Sequence, residues 1–212
     1  SDGAGNNNSG TTVFNWTYKT NYLVKKDGSG DYTTIEAALN GASTNDTITV
    51  YPGTYTENIR INKNIVLTST FQTDTSVIGN TIIQGTFPAG ANGAVIEFRD
   101  GAGSQVANSA KIIGFTITNG KGGPGDTGFT AKGAGVYIPG ALSPTISHCF
   151  IRNNIGTGNV AGAGIYSGGG SPLIENSIIE NNNAGEGQGG GIYFESGNGT
   201  PVVSRTIIRN NK

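Results

Sequence analysis

The segment Pro144-Thr-Ile-Ser-His-Cys-Phe-Ile-Arg-Asn-Asn154 returns as Pro172-Leu-Ile-Glu-Asn-Ser-Ile-Ile-Glu-Asn-Asn182 and again as Pro201-Val-Val-Ser-Arg-Thr-Ile-Ile-Arg-Asn-Asn211. The three prolines lie 28 and 29 residues apart. A second motif precedes each copy in phase: Gly133-Ala-Gly-Val-Tyr137, Gly162-Ala-Gly-Ile-Tyr166 and Gly189-Gly-Gly-Ile-Tyr193, at spacings of 29 and 27. A more divergent copy of the first motif is Ala110-Lys-Ile-Ile-Gly-Phe-Thr-Ile-Thr-Asn-Gly120. Two motifs recurring together at this period indicate a solenoid.

The content of the unit decides which solenoid. Leucine is too scarce in the repeats for a leucine-rich array, and helix formers at a 3.6-residue spacing are missing. Each unit instead holds two short β-rich runs separated by Gly, Pro and Asn, which read as strands joined by turns. Such a unit cannot bury its apolar side alone. Stacking coils about 4.8 Å apart pairs their backbones and creates one continuous core. The expected fold is therefore all-β, a single-stranded right-handed parallel β-helix of roughly six or seven coils with a short N-terminal capping helix.

Stacking turns sequence columns into ladders. Ile146, Ile174 and Val203 form one inward column, and Ile151, Ile179 and Ile208 another. Cys149, Ser177 and Thr206 are small residues between them, so Cys149 reads as a buried filler. Asn154, Asn182 and Asn211 are placed to hydrogen-bond through stacked amides. Arg152, Glu180 and Arg209 alternate in sign along an outward column, as in a surface ion-pair ladder. His148, aligned with Asn176 and Arg205, reads as an exposed residue at a kink. Strict alternation also points Phe150, Ile178 and Ile207 outward, and Tyr137, Tyr166 and Tyr193 likewise. These two exposed ladders could stack on sugar rings or pack against a partner.

The N-terminal half reads as the start of the same solenoid. A turn at Asp27-Gly-Ser-Gly-Asp31 leads into a helix near 33–40 with a capping box at Thr33 and Glu36. Its apolar side (Ile35, Ala38, Leu39) would plug the first coil. The segments 84–94 and 120–135 read as insertions between coils. Residues 1–22 read as an extension available to a partner, and 23–212 as the solenoid, regular from about 133.

Composition excludes several functions. The chain has 212 residues, 36 of them Gly, with 13% charged residues and a net charge of -1. That balance leaves no electrostatic footprint for nucleic acid, and no apolar run is long enough to insert into a membrane. With one His and one Cys, neither a His/Cys zinc site nor an internal disulfide can form, and no cofactor or metal is expected. Ser1 is not an initiator, so a processed, secreted or cell-surface protein is expected.

The run Asp27-Gly-Ser-Gly-Asp-Tyr-Thr-Thr-Ile-Glu-Ala-Ala-Leu39, followed by Asp46-Thr-Ile-Thr-Val-Tyr-Pro-Gly-Thr-Tyr-Thr-Glu57, resembles the opening of the pectinesterase and pectate-lyase-like β-helix superfamily. The C-terminal repeats resemble those of bacterial polymorphic surface proteins and related adhesins, most closely at Gly189-Gly-Gly-Ile192 and Phe150-Ile-Arg-Asn153. The resemblance implies the β-helix fold; it does not imply an activity. Pectinesterase-like chemistry would need two carboxylates and a positioned arginine on one face, and pectate-lyase-like elimination would need acidic calcium ligands. No such motif stands in the chain, and no Asp follows Asp126. No catalytic residue is therefore assigned.

The expected role is a non-enzymatic extracellular structural protein, an adhesin-like module or a head-to-tail filament subunit. The alternative is a truncated carbohydrate-active β-helix enzyme acting on an acidic polysaccharide. Self-association, or the continuation of a longer chain, would cover the last coil at Val203, Thr206, Ile208, Asn210 and Asn211. At the other end Val13, Phe14, Trp16, Tyr18 and Tyr22 are the contact candidates, through strand addition. A polysaccharide is the further partner that the exposed ladders allow.

Overall fold

In the computed structural model, which describes residues 19–87, 93–99, 108–124 and 131–212, a complete coil runs through three parallel sheets in turn. Sheet 1 has seven strands, beginning with Asn21–Val24 and Thr47–Val50 and ending with Val202–Ser204. Sheet 2 has six, from Gly53–Thr56 to Ile207–Arg209. Sheet 3 has five: Ile59–Ile61, Ile96–Phe98, Val136–Ile138, Ile165–Ser167 and Ile192–Phe194. Seven rungs in sheet 1 make seven coils.

The repeat columns stack in register. Ile146 pairs with Ile112 and Ile174, Ile174 with Val203, and Ile151 with Ile117 and Ile179. Ile112, Ile146, Ile174, Ile117, Ile151 and Ile179 are wholly buried. Each such side chain contributes about 1.5–3 kcal/mol through burial. Cys149 fills the gap between the two columns, also wholly buried, and burial pushes its thiol up to about 11.

Between sheets 1 and 2 each of the last four coils turns through one left-handed residue: Gly114, His148, Asn176 and Arg205, with φ of 84°, 52°, 50° and 46°. Half-buried His148 is thus a kink residue. Arg205 is held there by its Nε donating to Asn176 Oδ1 at 2.7 Å and its Nη2 to Glu175 Oε2 at 2.9 Å. A second kink follows sheet 2 at Asn119, Asn153, Asn181 and Asn210, where asparagine tolerates positive φ better than most side chains.

The next residue forms a buried amide ladder. Asn154 Nδ2 donates to Asn182 Oδ1 at 2.9 Å, and Asn182 Nδ2 to Asn211 Oδ1 at 3.0 Å. The next coil's backbone, with the ladder beside it, explains the second glycine of the Gly-x-Gly motif. A Cβ on Gly164 would lie 2.3 Å from Gly191 O and 3.1 Å from Asn182 Nδ2.

Helix α1 spans Ile35–Gly41 and buries Ile35, Ala38 and Leu39 against the first coils. Its N-cap is Thr34, whose Oγ1 accepts from Ala37 N, which corrects the capping box expected at Thr33 and Glu36. The remaining N-terminal amides go to a distant carboxylate: Glu57 accepts from Ile35 N at 3.1 Å and from Glu36 N at 2.9 Å. At the other end Lys63 Nζ donates to Leu39 O and Ala42 O, so both helix poles meet the opposite charge. Helix α2, Thr75–Asn80, is capped by Asp74 and was not foreseen.

Val13, Phe14, Trp16 and Tyr18 lie outside the described residues. Tyr22 pairs with Ile48 within its own chain, in the parallel strand pair Asn21–Val24 and Thr47–Val50. At the last coil Val203 and Ile208 are 40% and 49% exposed, Thr206 and Asn211 are half-buried, and Asn210 is exposed. No helix among the described residues is long and apolar enough to cross a membrane.

Candidate functional site

Alternation in sheet 3 turns the middle residue of each strand away from the core. The strand register sets Arg60 against Glu97, Glu97 against Tyr137, Tyr137 against Tyr166, and Tyr166 against Tyr193. One outer column therefore runs from a charged pair into three tyrosines.

At the charged end, Glu97 Oε2 accepts from Arg60 Nε at 3.3 Å and from Arg99 Nη2 at 3.1 Å. The two arginine side chains are 62% and 47% exposed, whereas that of Glu97 is 17% exposed. They line a cleft of about 270 Å³ with Asn58, Ile59, Gly93 and Ala94. Asn58 Oδ1 accepts from Thr86 N at 2.8 Å, which ties the start of the insertion to the cleft. One carboxylate between two guanidiniums leaves a formal excess of one positive charge, suited to an anionic group. Arginine binds a carboxylate through its planar fork.

The tyrosines do not form the exposed ladder that alternation suggested. Tyr137 and Tyr166 are 7% and 1% exposed, and Tyr193 is half-buried. They point away from the main core but pack with Ala94 and Ala161 in a second apolar cluster outside it. Ring centroids are 5.5 Å apart for Tyr137 and Tyr166, and 5.8 Å apart for Tyr166 and Tyr193, the latter pair stacked at 8°. The physical reason is the insertion between coils. Its strand Ala131–Lys132 pairs with Val160–Ala161 beside the tyrosines, which shields Tyr137 and Tyr166 and leaves Tyr193 half-buried.

Lys132 clamps this cover down. Its side chain is 4% exposed, and its Nζ lies 2.8 Å from Tyr166 Oη and 3.3 Å from Glu195 Oε1. The Tyr166 hydroxyl donates to the other Glu195 oxygen. Burial, then the bond to Glu195, raises the Tyr166 phenol; the same bond, with Lys132, holds the Glu195 carboxyl below its ordinary value. The buried ammonium is held by a hydroxyl and a carboxylate oxygen, so the cluster serves as a fastening. Sequence reading missed Lys132 and Glu195 as a pair, because they are 63 residues apart and outside the aligned motifs.

The second outward ladder lies on sheet 2. Phe150 pairs with Ile178 and Ile178 with Ile207; the first two are half-buried and Ile207 is 52% exposed. Beside it Arg209 Nη2 meets Glu180 Oε2 at 2.8 Å, while the Arg152 guanidinium lies 5.7 Å over the Phe150 ring. No cluster of three or more metal-ligating side chains occurs among the described residues.

A curated relative, a probable pectinesterase/pectinesterase inhibitor of Arabidopsis thaliana, is 34% identical over 106 residues, which is 49% of this chain. The match spans 19% of that protein's length. Among solved structures, pectin methylesterase from carrot aligns over 92% of this chain and 74% of its own, with 19% identity and a TM-score of 0.49. Pectin methylesterase PemA from Erwinia chrysanthemi aligns over 89% and 67%, with 16% identity and a TM-score of 0.46. The assignment itself rests on the parallel register of the three sheets and on a family match over residues 65–212, described as a right-handed beta helix region. With seven stacked coils and that match over most of its length, the chain belongs to the right-handed β-helix family.

Proposed function

We propose that the chain recognises an acidic polysaccharide of the pectic kind along the outer face of sheet 3, as an extracellular glycan-binding module. The observation that carries this reading is the Arg60–Glu97–Arg99 cleft, where two exposed guanidiniums flank one shielded carboxylate. A uronate carboxylate would exchange hydrogen bonds with Arg60 and Arg99 and neutralise the excess charge. Neighbouring sugars would run along the cover over the tyrosines. Similarity to a plant pectinesterase supports the same class of ligand.

Turnover is a separate matter. A pectinesterase-like site would need two carboxylates and an arginine together. On sheet 3 Glu97 lies in, and Glu195 directly follows, strands that are three rungs apart, about 14 Å at the rise between neighbouring strands. Binding without hydrolysis is therefore the first reading. The similarity to a pectinesterase favours a second: Glu97 activates water toward an ester carbonyl, and the two guanidiniums stabilise the tetrahedral oxyanion.

Calorimetric titration with polygalacturonate, paired with a methanol-release assay on methyl-esterified pectin, tests both. The first reading expects binding that weakens with salt, loses its sheet 3 component in Arg60→Gln/Arg99→Gln, and yields no methanol. Methanol release abolished by Glu97→Gln would replace it with the second. Neither binding nor release would overturn both.

A further inference from the structure

The coil passes from sheet 1 to sheet 2 to sheet 3, so the corner between sheets 1 and 2 lies across the core from the cleft just described. That corner carries an aromatic surface which the fold does not consume. Phe71, in the turn after the strand Val66–Ser69, is 69% exposed. With Tyr51, Pro52 and Val77 it floors an apolar recess of about 410 Å³, rimmed by Thr49 and Thr70. Along Tyr51 and Pro52 the recess adjoins a second one of about 310 Å³, lined by Lys25, Lys26 and Asp27.

The charges around this surface are unequal in availability. Lys25 Nζ stands 4.2 Å from the centre of the Tyr51 ring. Lys26 Nζ donates to Thr54 O at 2.6 Å and lies 5.5 Å from the Tyr55 ring. The nearby carboxylates are engaged locally: Asp27 Oδ1 accepts from Ser29 N and Oγ, and Asp74 Oδ1 accepts from Ser76 N and Oγ. An incoming anion meets two ammonium groups and the one carboxylate of Asp27, a formal excess of one positive charge, beside an exposed aromatic floor. A sugar acid has the matching halves, since its C–H face packs on an aromatic ring and its carboxylate pairs with ammonium.

We propose that this corner is a second glycan site, taking one uronic-acid residue with its ring over Phe71 and Tyr51 and its carboxylate toward Lys25 and Lys26. The ligand class rests on the reading of the sheet 3 cleft. The two sites face away from each other, with at least the roughly 10 Å of a packed core between them. One polysaccharide strand would have to circle the rod to reach both. The chain therefore bridges two strands, and such bivalence raises avidity on long polymers without any new contact.

A galacturonate trisaccharide titrated calorimetrically counts the sites, and turbidity with long polygalacturonate reads the bridging. The intact chain binds two trisaccharides and clouds the polymer. Phe71→Ala/Lys25→Gln lowers the stoichiometry to one and abolishes turbidity, while Phe71→Tyr keeps both. Arg60→Gln/Arg99→Gln also leaves one site. Unchanged stoichiometry and turbidity in Phe71→Ala/Lys25→Gln would overturn the corner site. So would loss of all binding in the arginine variant, which would leave the sheet 3 reading standing. Loss of all binding in Phe71→Ala/Lys25→Gln would instead support the corner and refute the sheet 3 cleft. Phe71 is outside the core, so far-UV circular dichroism of these variants matches the parent.

Discussion

Replacing Asn182 by Ala removes the middle rung of the amide ladder and costs more than any loss of side-chain volume would suggest. Asn182 is wholly buried. Its Oδ1 accepts from Asn154 N at 3.1 Å and from Asn154 Nδ2 at 2.9 Å; its Nδ2 donates to Ile151 O at 2.9 Å and to Asn211 Oδ1. Alanine leaves Asn154 N without that acceptor and Ile151 O without that donor. Asn154 Nδ2 keeps Ile117 O, and Asn211 Oδ1 keeps Asn182 N. Two buried polar groups losing a partner, at about 1–3 kcal/mol each, give a loss of about 2–6 kcal/mol. Asn211→Ala, at a half-buried rung that water can reach, costs about 1 kcal/mol. Asp at 182 keeps the bonds from Asn154 but sets a second carboxylate oxygen against Ile151 O and Asn211 Oδ1, so it destabilises at neutral pH and recovers as acid protonates it. Urea unfolding followed by far-UV circular dichroism measures all three. Asn182→Ala costing under about 1 kcal/mol, or no more than Asn211→Ala, would refute the ladder as a stabilising device.

Other consequences follow from single contacts. The Glu195 carboxyl is held below its ordinary value of 4.5 by Tyr166 and Lys132, so its pairing stabilises the fold above about pH 5 and is lost as pH falls through the lower folded value; thermal unfolding between pH 7 and pH 3 should lose this increment in the parent and not in Glu195→Gln. Gly164→Ala places a Cβ 2.3 Å from Gly191 O and destabilises by more than about 2 kcal/mol, whereas Gly79→Ala in α2 meets nothing within 4 Å and stabilises by about 0.4–1 kcal/mol; paired denaturation curves compare them. Cys149, buried with its thiol pushed up to about 11, resists an aromatic disulfide reagent at pH 8 in the native state and reacts at once in denaturant.

What the sequence made legible was whatever the repeat carries. The Ile columns, the small residues at Cys149, Ser177 and Thr206, and the Asn ladder all sit at fixed places in a 27–29-residue unit, so stacking alone assigns their neighbours. Features outside the period were hidden. The burial of Tyr137 and Tyr166 depends on the strands Ala131–Lys132 and Val160–Ala161, which lie outside the two aligned motifs, and local alternation predicts only that the tyrosines leave the core. Glu57 caps α1 from 21 residues away. Arg60 and Glu97 are register neighbours 37 residues apart, a separation that the 27–29-residue period does not give. The available signal was the matching in-out-in pattern of Ile59-Arg-Ile61 and Ile96-Glu-Phe98. The alternating signs of Arg152, Glu180 and Arg209 suggest one ion-pair ladder; Arg152 instead lies over Phe150, because an aromatic neighbour on the same strand competes for it.

A crystal structure of the chain with a galacturonate trisaccharide shows directly whether the sheet 3 cleft receives an acidic sugar. The expected result is a uronate carboxylate within hydrogen-bonding distance of the Arg60 and Arg99 guanidiniums. An empty cleft under conditions where calorimetry shows the trisaccharide bound would contradict it.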